Sequence, residues 1–78
     1  MPLLDYLNAA EKAKGIRHQI AVNDLRQYIY AREPDYIIAE MRKIENIPVL
    51  KYMQEAGLRK GLFSAYLEHL GRLGGKVE

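Results

Sequence analysis

The chain contains no cysteine, which rules out disulfides and thiolate metal sites. Its histidines, His18 and His69, stand far apart, and neither has a partner at the three- or four-residue spacing of a helical metal site. No metal ion and no cofactor are expected. Ser64 lacks a base, because His69 lies five positions on and points elsewhere around a helix. No carboxylate pair and no phosphate-cradling loop is present, so no enzyme is expected. Nothing approaches the roughly 18 apolar residues of a membrane span. The run Met1-Pro2-Leu3-Leu4-Asp5 lacks the features of a secretion signal, so a cytoplasmic location and no membrane partner are expected. No segment alternates apolar and polar residues, and no strand is expected. Neither sign of charge dominates: 12 basic residues stand against 10 acidic ones, for a net +2. That balance permits nucleic-acid binding without demanding it.

What remains is a chain of 78 residues that is 49% hydrophobic, enough to fold and too short for more than one domain, taken as 1–78. Chains of this size bury only roughly 60% of their unfolded surface. Tight helix packing or oligomerisation is the usual compensation.

Helix signatures fill the sequence. Residues 3–14 carry Leu3, Leu7 and Ala10 at helical spacing, with Pro2 before them and Gly15 after. Residues 16–32 allow two readings. His18, Val22, Leu25 and Ile29 fit one long helix, whereas Asn23-Asp24 would cap a shorter one. Pro34 ends either version. It opens a helix over 34–44 with Ile37, Ile38, Met41 and Ile44 inward. Pro48 begins a short helix with Val49, Leu50, Met53 and Ala56 as its stripe, stopped by Gly57. Residues 59–73 form the broadest stripe, Leu62, Phe63, Tyr66, Leu67, Leu70 and Leu73, which points to a central helix. Gly71 within it marks either a close helix approach or fraying. Gly74-Gly75 close the domain, and 76–78 form a loose tail. The expected fold is all-α, a bundle or orthogonal array of four to five short helices, best defined over 34–73.

Two resemblances follow from particular residues. Tyr66-Leu67-Glu68-His69-Leu70-Gly71-Arg72-Leu73-Gly74 resembles the first-helix ending of HEAT-like repeats. Ala39 to Asn46 aligns with Glu68 to Gly75 at an offset of 29 (73 − 44), and the turn Glu45-Asn46-Ile47-Pro48 leads into a second helix. The resemblance covers 34–75 and implies a scaffold for protein binding. Separately, Tyr52 to Leu67 resembles a DNA-binding helix-turn-helix, with Gly57, Leu58, Phe63 and Tyr66 at the turn and anchor positions. That resemblance implies that Arg59, Lys60 and Ser64 face double-stranded DNA. The chain departs from it at Met53, where the family has a small residue, and by putting Leu62 on the reading face.

Six tyrosines in so short a chain cannot all be core, since a buried hydroxyl needs a partner. Tyr28 and Tyr30 are two apart, so at least one should face outward. Tyrosine is enriched at binding surfaces. The expected function is therefore a non-enzymatic interaction module that docks on another protein or on itself as a homo-oligomer, through Tyr30, Tyr52, Leu62 and Tyr36. The alternative is a DNA binder using Arg59, Lys60 and Ser64.

Overall fold

The computed structural model describes residues 2–74. The glycine at 75 and the tail 76–78 lie outside the described residues. Six helical segments follow in order: α1 (Leu3–Lys12), α2 (Ile16–Tyr30), α3 (Pro34–Arg42), α4 (Ile47–Leu50), α5 (Tyr52–Ala56) and α6 (Lys60–Arg72). Lys51 between α4 and α5 keeps helical angles (φ −63°, ψ −21°), so the two form one short rod and the fold is a bundle of five. There is no strand among the described residues.

Local chemistry sets the boundaries. Pro2 precedes α1, and Asp5 and Lys12 sit at the ends that favour their charges. The helix stops at Lys12, two residues before the sequence expectation. Ala13 is already extended, and Gly15 takes φ +63°. Gly15 thus serves α2 more than α1: its carbonyl accepts the first helical bonds, from the His18 and Gln19 N–H groups. The open choice over 16–32 resolves to one helix of 15 residues. Asn23 does not cap a second one; its side chain accepts instead from Arg26. The residue before Pro34, Glu33, is extended (ψ 142°), as proline requires. Asn46 caps α4 by accepting the Val49 N–H at 3.2 Å, which starts that helix at Ile47 rather than Pro48. Gly57 ends α5 at φ +81°.

The buried stripes are Leu3, Leu7 and Ala10 on α1; Val22, Leu25, Tyr28 and Ile29 on α2; Ile37 and Met41 on α3; and Leu62, Tyr66, His69 and Leu70 on α6. They meet Val49, Leu50, Met53 and Ala56 in one core. The hub is α1, which packs broadly on α2 and also on α3, α4 and α5. The expected central helix, α6, instead packs chiefly on α3. His69 secures that pairing from a buried position, its Nε2 2.8 Å from the Ile44 carbonyl oxygen. Among the described residues nothing lies against Gly71, so no helix approaches it. The radius of gyration is 11.7 Å, close to the about 11.5 Å of a compact chain this long.

Candidate interaction surface

Leu62 corrects the sequence reading. It is 2% exposed and cannot belong to a free surface. The inward face of α6 runs through positions 62, 66, 69 and 70, and Leu62 is its first member. Phe63 and Leu67 take the flanks and remain half-buried.

The tyrosines divide. Tyr30 is 43% exposed and Tyr36 is 54% exposed, while Tyr52 is half-buried and meets His18 edge-on at 5.7 Å between ring centres. Tyr30 is already engaged within the chain. Its hydroxyl donates to the Gly57 carbonyl at 2.8 Å. The Arg59 guanidinium lies over its ring at 4.6 Å and reaches its carbonyl. Arg26, one turn earlier, donates to the Ala56 carbonyl at 2.8 Å. Together these satisfy carbonyls at the end of α5 that the helix leaves open. Arg59 is thereby turned toward α2. Lys60 and Ser64 remain exposed on the first turns of α6.

The other end of α2 is different. Ile16 is 77% exposed and Ile20 is 55% exposed, one turn apart on the same side. Arg17, Asp24 and Gln27 border them, all exposed. The inward stripe through 22, 25 and 29 leaves positions 16 and 20 facing out. That signal was in the sequence, but it depended on reading 16–30 as one helix.

His18 lies between Ile16 and Ile20 in sequence but turns to the opposite, half-buried side of α2, where it is tied on both sides. Its Nδ1 lies 2.7 Å from the Ala10 carbonyl and its Nε2 lies 2.5 Å from a Glu55 oxygen. Both partners are acceptors, so the doubly protonated ring satisfies both. The hydrogen bond to Glu55 chiefly, and that to Ala10, raise the His18 pKa above the ordinary 6.5.

Glu40 is the residue sequence reasoning missed altogether. One of its oxygens accepts the Leu3 N–H at 3.0 Å, at the start of α1, and the other accepts the Tyr28 hydroxyl. Tyr28 in turn packs against Tyr6, the rings tilted with centres 4.6 Å apart, and lies beneath the Arg32 guanidinium at 3.7 Å. Burial, followed by the Glu40 bond, raises the Tyr28 pKa. A groove of about 280 Å³ opens beside Glu40, lined by Pro2, Leu4, Glu40, Lys43 and Ile44. Both Glu40 oxygens are spent on the fold, so the groove's walls are mainly apolar. Tyr66 is the contrasting case: among the described residues its buried hydroxyl has no partner.

Among the described residues no group of three histidine or acidic side chains stands close enough to hold a metal ion, and no helix is long and apolar enough to cross a membrane. No protein-family model, curated protein or solved structure matches the chain.

Proposed function

We propose that this chain is a small non-enzymatic interaction module that docks on another protein chain, or on a second copy of itself, through the outer face of α2. The observation that carries the reading is the Ile16–Ile20 pair, two large apolar side chains one turn apart that the core leaves uncovered. Singly scattered exposed apolar residues need no explanation, whereas two side by side on a rigid helix make a candidate contact face. The helical-repeat resemblance over 34–75 supports a scaffold role. Sedimentation velocity over a concentration series tests the proposal. Wild-type mass should rise above the monomer, and Ile16→Glu with Ile20→Glu should abolish the rise while leaving the helical circular dichroism intact. Association indifferent to the double substitution removes this face.

Duplex DNA binding is the second reading, favoured by the exposure of Lys60 and Ser64 at the start of α6. The engagement of Arg59 with Tyr30 weighs against it. Fluorescence anisotropy with random duplex DNA at several salt concentrations separates the two. Binding with a salt slope of about three phosphates or more, lost in Arg59→Ala with Lys60→Ala, would put DNA first.

A further inference from the structure

We infer that the surface on α2 is covered by a second copy of this chain, whose own α2 lies antiparallel across it about a two-fold axis beside Ile20. The inference rests on the interaction-module reading and names its partner. Arg17 and Asp24 are two turns apart, on one line of the helix and about 10 Å from each other, with Ile20 between them. Arg17 stands three positions before Ile20 and Asp24 four after. Turning a second copy end for end about Ile20 sets Arg17 across from the partner's Asp24, and Asp24 across from the partner's Arg17. Ile20 meets the partner's Ile20 near the axis. Ile16 lies over the aliphatic stem of the partner's Gln27.

The charges choose the direction. A parallel pair would put Arg17 beside the partner's Arg17 and Asp24 beside the partner's Asp24, like against like. Only the antiparallel pair is complementary, and it is complementary at both ends at once. Among the described residues Arg17 and Asp24 form no ion pair within the chain, so both are available. A self-complementary patch of this kind closes at two copies and leaves no open end for further growth. Covering apolar surface by association is also a standard remedy for a chain this short.

Sedimentation equilibrium of the full chain tests the pairing, with circular dichroism to confirm that each variant is folded. R17D and D24R each convert two attractive pairs into two repulsive ones, and each should weaken self-association by about tenfold or more. An equimolar mixture of R17D and D24R restores both attractive pairs and should re-form a dimer, now mixed. Ile20→Glu is an independent probe that keeps both charges and should yield a monomer. A wild-type dimer insensitive to both reversals, or a mixture no tighter than the separate variants, overturns the α2 pairing while the interaction reading passes to another face. A wild-type chain that stays monomeric at millimolar concentration overturns the pairing and, with it, the self-association arm of the interaction reading.

Discussion

Ile20 and Tyr30 stand on the same helix with similar exposure, 55% and 43%, yet the two ends of α2 that carry them are built differently. At the C-terminal end the arginine and tyrosine side chains are tied down. Arg26 holds Ala56, Tyr30 holds Gly57, Arg32 covers Tyr28, and Tyr28 donates to Glu40. At the N-terminal end Ile16 and Ile20 point outward. An exposed tyrosine can be spent on the fold, because its ring and hydroxyl serve as cap and stacking platform. An isoleucine offers only apolar area, so one left uncovered is available to a partner.

Truncations along α2 should separate its buried and exposed faces most strongly. Leu25→Ala should cost about 2–5 kcal/mol of unfolding free energy, since Leu25 is wholly buried. Ile20→Ala should change it by no more than about 0.5 kcal/mol. Urea denaturation at a concentration where the chain is monomeric measures both, and a large loss in Ile20→Ala would place that side chain in the core. Next in size is Glu40→Ala, which strands the Tyr28 hydroxyl and the Leu3 N–H. It should cost about 1.5–3 kcal/mol, the range for hydrogen bonds to a charged group, read from the same denaturation. Tyr30→Phe loses one hydrogen bond to Gly57 and should cost about 1 kcal/mol. Its self-association should match wild type, which separates the two ends of α2 directly.

The smallest effect concerns pH. His18 donates from both ring nitrogens only when protonated, and its folded pKa lies above the ordinary 6.5. Its contribution is therefore complete below about pH 6.5 and is lost as pH rises through the raised folded value. Thermal unfolding from pH 5 to 9 should show this decline in wild type, and His18→Gln should flatten that part of the profile. An identical profile in both would mean that the ring makes no such bonds in solution.

The fold was largely legible because its cues are local. Pro34, Asn46-x-Pro48 and Gly57 mark helix ends through backbone geometry alone, and the stripes on α1 and α3 carry their own period. Two things escaped. The burial of His69 depends on where α3 lies, which no local pattern encodes, whereas Leu62 is buried as its place in the α6 stripe implied and against its assignment to a surface. The role of Glu40 depends on three elements converging on one carboxylate, from α1, α2 and α3. The α2 surface is an intermediate case. Ile16 and Ile20 lie off the inward stripe as soon as 16–30 is one helix, but the Asn23-Asp24 cap signal left that undecided.

Isoleucine-methyl NMR across a dilution series reads out whether α2 meets a partner through its N-terminal outer face. The Ile16 and Ile20 methyl resonances should move with protein concentration while those of Ile29 and Ile37, which are buried, stay fixed. Concentration-dependent shifts that spare Ile16 and Ile20 and fall elsewhere would contradict the account.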